Sequence, residues 1–304
     1  MDTRYDVVVI GGGAAGLSGA LTLVRARRRV LVVDSGQPRN APAEGVHGFL
    51  TRDGLPPAEL VALGRAEVRG YGGEIVDDTV TALARDDAGF AVTLAGSGPV
   101  HARRLLVATG LTDLLPEIDG LRERWGRDVV HCPYCHGWEV RDEPIGVIAV
   151  GPLGVHGALL FSQWSSDVVL LPHEQPAPDA VDRDRLAARG VEVVAGEVAA
   201  VEVTDDRVSG VRLRDGRVIP RRVVAVGPRF EPRADVLTDL GLTPADHPSG
   251  MGRTIPSDPM GQTAVAGVYV AGNVTDPMLQ VQAAAADGTK AAAALNLDLV
   301  LASA

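Results

Sequence analysis

Cysteine is nearly absent. The 304 residues hold two, Cys132 and Cys135, which excludes a small secreted scaffold stapled by disulfides. Aromatic residues are scarce too, with four Phe, four Tyr and three Trp against 36 Gly. Small residues therefore carry much of the packing, and many backbone positions use freedom that only glycine has. Basic charge is in deficit. The net charge of −10 argues against a nucleic-acid partner, which calls for a basic footprint. The one basic run, Arg25 with Arg27, Arg28 and Arg29, reads as the solvated end of a helix. The uncharged stretch Val7 to Val24 has the length of a membrane span or signal-peptide core. Three consecutive glycines and two more nearby, with no basic leader beyond Arg4, make it a buried strand, turn and helix instead. A soluble cytoplasmic protein with no membrane partner is expected. What is present is a chain with 46% hydrophobic residues, too apolar for disorder and long enough for two cores.

Strand and helix alternate from the start. Tyr5 to Ile10 is a β-branched run, Ala14 to Arg27 is helix-like, and Arg29 to Val33 is a second apolar run ending at Asp34. This βαβ unit predicts a mostly parallel sheet with helices on its faces. Short strands follow at Ile75 to Thr81, Phe90 to Leu94 and Arg104 to Thr109, and the block closes with Thr109-Gly110 and the loop Leu115-Pro116-Glu117. A second α/β unit begins at Ile145 to Val150, with a strand at Val168 to Leu171 and β segments between Val191 and Val226. After Pro228 an irregular stretch rich in Pro and Gly is expected up to Thr263. A strand at Val268 to Ala271 and a helix from Gln280 to Leu297 end the chain. Two βαβ starts, near 5 and near 145, suggest two Rossmann-like modules.

Ile10 is followed by Gly11-Gly12-Gly13-Ala14-Ala15-Gly16, a G-x-G-x-x-G between strand and helix. Gly11 permits the tight turn, Gly13 lets backbone approach a pyrophosphate, and Gly16 allows close packing of helix on strand. Ala14 and Ala15 open the helix whose free N–H groups would meet the phosphates. Asp34, at the end of the second strand, can accept the ribose hydroxyls of an adenosine. The motif does not separate FAD from NAD.

Cys132-Pro133-Tyr134-Cys135 is a C-x-x-C pair flanked by His131 and His136. A zinc or cluster site lacks further cysteines, so no metal is expected. A covalent c-type haem, spelled literally by C-x-x-C-H, normally comes with export and a small helical fold. A redox-active dithiol remains the preferred reading, because thiols at this spacing close a small disulfide ring and a neighbouring imidazole can exchange their protons. His136 is the candidate acid/base, since its ordinary pKa near 6.5 suits thiol chemistry around neutrality. His131 is the second candidate, with a structural, hydrogen-bonded role as its alternative. Tyr134 and Trp138 read as packing residues and Glu139 as a local ion-pair partner.

G-x-G-x-x-G near residue 11, Ala-Thr-Gly at 108–110, the C-x-x-C pair and Ala-Gly-Asn near 273 occur in one order along nearly the whole chain. Together they resemble the thioredoxin reductase family of flavoproteins. The extended Cys-Pro-Tyr-Cys-His-Gly-Trp-Glu resembles the FAD-dependent dithiol oxidases of gliotoxin and holomycin biosynthesis. The resemblance implies an α/β fold of two Rossmann-like domains, with parallel central sheets and antiparallel β meanders. Residues 1–117 and 246–304 would form a discontinuous FAD-binding domain, and 118–245 a degenerate NAD(P)-binding-like domain carrying the C-x-x-C. It also implies FAD contacts from Arg39, Asn40, His47 near the isoalloxazine, Val80 at the adenine, Thr109, Gly110, Asn273 (where relatives carry Asp), and Gln282 with Ala283 at a helix N-terminus. A homodimer is implied as well.

The second module departs from a nicotinamide site. Its turn reads Gly151-Pro152-Leu153-Gly154, with Leu153 where the pyrophosphate needs glycine. Its next strand ends in Pro172-His173-Glu174, with Glu174 opposing a 2′-phosphate and Arg183 and Arg185 well downstream. These features argue against NADPH. The expectation is an oxidase in which a small-molecule dithiol is the reductant, Cys132 exchanges with it, Cys135 lies beside the flavin, and molecular oxygen accepts the electrons. The alternatives are a thioredoxin reductase fed by NADPH or ferredoxin and a flavin redox sensor without turnover.

Overall fold

The computed structural model describes residues 4–302. The opening run forms β1 (Arg4–Ile10), then α1 (Ala14–Arg25) and β2 (Val30–Asp34). Alternate residues of these strands enter two cores. Val8, Ile10, Leu31, Val33, Leu105 and Val107 share one cluster, while Val7, Val9, Val30, Val32 and Leu106 share another. Burial on both faces is what turns the strands into continuous apolar runs rather than alternating ones.

Next come α2 (Pro57–Gly70), β3 (Glu74–Asp77), β4 (Val80–Asp86), β5 (Gly89–Leu94), β6 (Val100–Val107) and β7 (Leu111–Leu114). The single strand expected over 75–81 is thus two. Asp78 accepts from the backbone N–H groups of Thr79 and Gly96, and β3 and β4 end on opposite edges of a sheet ordered β3-β2-β1-β6-β5-β4. The β3-β2-β1-β6 part is parallel and β4-β5-β6 is an antiparallel meander. Helix α2 was not legible in the sequence, because its inward face is thin. Only Pro57 and Val68 are fully buried, and Gly64 lets it lie close on Leu17 of α1.

The second domain comprises β8 (Val129–Val130), α3 (Pro133–His136), β9 (Ile145–Ile148), α4 (Gly154–Phe161), β10 (Val168–Leu171), α5 (Ala180–Ala188), β11 (Glu192–Val193), β12 (Val198–Thr204), β13 (Arg207–Leu213), β14 (Val218–Ile219) and β15 (Val223–Val226). Its central sheet, β11-β10-β9-β15-β8, is wholly parallel. An antiparallel meander, β12-β13-β14, covers it.

After Pro228 the chain is more regular than expected. β16 (Arg229–Pro232) pairs antiparallel with β7, giving two strands between the domains. Ala234, Leu237 and Leu242 then pack with Val80 and Leu83 in a first-domain core, and the Asp239 carboxylate accepts the Leu83 N–H at 3.0 Å. Residues 234–242, grouped with the second domain from the sequence, therefore pack with the first. The short pair β17 (Ala245–Asp246) and β18 (Arg253–Thr254) leads to β19 (Val268–Val270), which joins β6 in parallel, and to α6 (Val281–Leu301). Alanine and glycine on α6 let it approach α1 closely: a Cβ at Gly288 would stand 2.0 Å from the Ala15 carbonyl oxygen. Among the described residues no helix is long and apolar enough to cross a membrane.

Candidate active site

A cavity of about 1240 Å³ runs from the glycine turn to the cysteine pair. Gly11, Gly13, Ala14, Ala15, Asp34, Arg39, Asn40, His47, Val80, Thr109, Gly110, His131, Cys132, Cys135, His136 and Asn273 all line it. Sequence positions more than 250 residues apart thus meet around one volume.

The turn is built for a close ligand. Gly11 has φ +104°, and a Cβ there would stand 2.4 Å from the Ala108 carbonyl oxygen. A Cβ at Gly16 would meet the Gly11 carbonyl oxygen at 1.9 Å, so this residue packs helix on turn and does not line the cavity. Gly13, in contrast, has nothing within 4 Å of its Cβ position. It caps α1 with extended backbone and no side-chain cap, leaving the first N–H groups of the helix free for an anion. Thr109 adds a buried hydroxyl with no hydrogen-bond partner among the described residues. An open cradle, an unpaired helix start and an orphaned hydroxyl are the donor set a dinucleotide requires. The residues fit FAD.

At the adenosine end, Asp34 lies 3.6 Å from Arg65 of α2, which also pairs with Asp77. Nothing in the sequence pointed to Arg65, because its helix was not read. At the other end, Arg39 forks onto Asp113 with bonds of 2.8 and 2.6 Å, reaches the Asn273 side-chain oxygen at 3.3 Å and lies over the Phe230 ring. Asn273 spends its amide on the carbonyl oxygens of Asp276 and Leu279, so it ties the start of α6 in place. Gln282 and Ala283 are exposed and lie off the cavity. Gln280, Val281 and Ala284 line it instead. Gln280 is the N-cap of α6, which puts positions 281 and 284 on the inward face at helical spacing.

The cysteines sit where β8 ends. Cys132 is the extended N-cap of α3 and Cys135 lies within that single turn. Their sulfur atoms are 2.7 Å apart. The hydrogen bond from Cys135 holds the Cys132 thiol below the ordinary range against the opposing effect of burial, with backbone N–H groups and Arg39 assisting. The same bond and burial push Cys135 up. The pair thus gives up its first proton readily and its second reluctantly, with the negative charge on Cys132.

Two imidazoles flank the pair. Burial, with Arg39 nearby, pushes His131 down to about 4, and its ring contacts Phe230 at 5.5 Å. It is neutral at physiological pH and has an unpartnered Nδ1 among the described residues. Burial lowers His136 as well, with Glu139 opposing and His47 adding to the effect, and neither of its ring nitrogens has a partner among the described residues. A neutral, desolvated imidazole lining the cavity onto which the thiols open is suited to accept a proton.

In the second module, Leu153 packs against Leu111, Phe230 and Met251. A half-buried leucine, packed against β7, β16 and the 247–252 loop, thus occupies the position of the close-approach glycine. A Cβ at Gly250 would stand 3.5 Å from Pro152, so the 247–252 loop lies over this turn. Arg183 donates to the Pro178 carbonyl oxygen and Arg185 pairs with Asp182. Both are engaged on α5 and the residues that lead into it.

This pairing of a dinucleotide turn with a C-x-x-C across two α/β domains defines a disulfide oxidoreductase. The chain belongs to the pyridine nucleotide-disulphide oxidoreductase family, whose model matches residues 5–288. It is 32% identical to thioredoxin reductase tcpT of Claviceps purpurea, over 88% of this chain and 86% of that protein. It is 29% identical to thioredoxin reductase sirT of Leptosphaeria maculans, over 96% and 93%. Among solved structures, HlmI superposes with a TM-score of 0.91 at 47% identity, covering 100% of this chain and 96% of that one. An oxidoreductase from Agrobacterium tumefaciens superposes at 0.92 with 39% identity, covering 98% and 99%. The thioredoxin reductase-like fold and flavoprotein class read from the motifs are borne out.

Proposed function

We propose that the protein is an FAD-dependent oxidase that closes a disulfide in a small-molecule dithiol. One observation carries this reading: the cysteine pair opens onto the same cavity as the dinucleotide turn, while the corresponding turn of the second module, which also lines that cavity, presents Leu153 where a pyrophosphate needs glycine. Electrons then enter from a thiol rather than from a nicotinamide. His136 takes the proton of a substrate thiol, and the thiolate attacks Cys132 of the oxidised pair. The Cys132–Cys135 bond breaks as a mixed disulfide forms, and Cys135 leaves with the electron pair. The second substrate thiolate displaces Cys132, so the product leaves as a disulfide and both cysteines are left reduced. A flavin held there would supply the two-electron acceptor for the reduced pair, with molecular oxygen as the final acceptor and hydrogen peroxide as its product. The turn, Thr109 and the start of α6 would hold that flavin, and Arg39 with Asp113 would hold the loop against it. A homodimer in the cytoplasm belongs to the same reading.

Mixing the anaerobic holoprotein with dithiothreitol or with NADPH tests it. Dithiothreitol should bleach the flavin absorbance, readmitted air should restore it with peroxide, and Cys135→Ser should bind flavin without bleaching. Rapid bleaching by NADPH would instead assign a reductase.

A further inference from the structure

Just beyond the cysteines, three titratable side chains from both domains, Glu139, His47 and Asp53, stand in a row, with His136 one helical turn before Glu139. His136, at the end of α3, has no partner for either ring nitrogen among the described residues. Three residues on, the Glu139 carboxylate lies 3.5 Å from Nε2 of His47, a first-domain residue. His47 Nδ1 lies 3.7 Å from Asp53, whose carboxylate also accepts the Gly48 N–H at 2.8 Å. Side-chain exposure along the row is 38% at Glu139, 23% at His47 and 70% at Asp53, so its outer end meets water, while burial desolvates His136.

The sulfur exchange uses neither Glu139 nor His47. A half-exposed pair of this kind contributes little to stability, so holding the fold together is a weak reason for it. Its field acts more strongly on a neighbouring imidazole that burial has stripped of solvent. We propose that Glu139 and His47 form an interdomain polar clasp serving His136, so that a first-domain side chain helps to set the base of the dithiol reaction. The clasp rests on the dithiol reading above. Glu139 and His47 are positioning residues. The proton moves from the substrate thiol to His136 as the sulfur bonds to Cys132, and Cys135 leaves, so no other reductant or oxidant enters the step.

The influences on His136 run in opposite directions. Burial disfavours its cation, Glu139 favours it and His47 disfavours it. His131 lies on the cysteine side and is itself affected by His136. Asp53 faces His47. Glu139→Gln should therefore leave His136 neutral to lower pH, whereas His47→Asn should favour its cation and free Glu139 to act on it.

The test is the pH profile of anaerobic flavin reduction by dithiothreitol in the holoprotein. The acid limb should move by about half a pH unit, downward in Glu139→Gln and upward in His47→Asn. His136→Asn should abolish it. A limb that stays in place, or moves the same way in both single variants, overturns the clasp and leaves the dithiol chemistry standing. Failure of dithiothreitol to bleach the wild type at any pH overturns the functional reading instead. The clasp is then judged from the His136 proton resonance of the holoprotein, whose titration midpoint must move in the same two opposite directions.

Discussion

Gly13→Ala separates what the glycine turn does for the ligand from what it does for the fold. Gly13 has φ −81° and ψ −170°, a backbone any residue adopts, and its Cβ position is free of contacts to 4 Å. Without flavin, the added methyl therefore meets nothing, and the change at the N-cap costs about 0.5 kcal/mol. With flavin, the methyl projects into the space a pyrophosphate must enter to reach the start of α1. Displacing it weakens one or two charge-assisted bonds, each about 1.5–3 kcal/mol, so FAD affinity should fall roughly 10- to 100-fold. Gly16→Ala is the opposite case. Its Cβ would stand 1.9 Å from the Gly11 carbonyl oxygen, helix and turn must separate, and stability falls by about 3 kcal/mol even without ligand. Thermal unfolding of flavin-stripped protein reads the stability, and titration with FAD reads the affinity. The reasoning fails if Gly13→Ala binds FAD within twofold of wild type, or if it destabilises the stripped protein as much as Gly16→Ala.

Two further outcomes follow from charge placement. In the reduced protein Cys132 should be alkylated by iodoacetamide first, with a rate that rises with pH and inflects below the ordinary thiol value of about 8.5, and Cys135 should stay unmodified; peptide mapping by mass spectrometry checks both. Arg124→Ala should cost about 3–5 kcal/mol at neutral pH, because Arg124 forks onto the buried Asp128 at 2.7 Å and binds Asp206 as well. In the wild type, burial pushes the Asp128 carboxyl up, but the Arg124 and Val208 hydrogen bonds prevail and hold it below its ordinary value. Its contribution is therefore complete above about pH 4 and fades as the pH falls through the folded-state value. Without Arg124, burial is opposed by the Val208 N–H and the backbone of Asp128 but no longer by a cation, so the Asp128 carboxyl should move up and the destabilisation should shrink between pH 7 and pH 5 in urea unfolding.

The first βαβ unit was legible because its signals are local. A β-branched run, three glycines and an acid at the strand end each have one physical use, and all three fall in order. The cysteine pair was legible for the same reason. The division at Asp78 was not, since a single turn between two β-prone runs leaves periodicity unchanged. Helix α2 escaped because it buries little, and Arg65 with it. Gln282 and Ala283 were one to two positions from the cavity-facing residues, since helix phase depends on which residue caps, and Gln280 does so without a side-chain bond. Glu139 could be read only as a local partner, because His47 lies 92 residues away in sequence and in the other domain.

By itself the amino-acid order decided the class of chemistry: a dinucleotide turn, a dithiol three residues apart and a second module whose turn carries leucine. These are properties of short segments, in which spacing along the chain is also spacing in space. Tertiary structure alone decided which cysteine carries the charge, which imidazoles are stripped of water, and which first-domain side chain meets Glu139 next to the dithiol segment. Such quantities depend on burial and on distances between remote segments, and no local pattern encodes either.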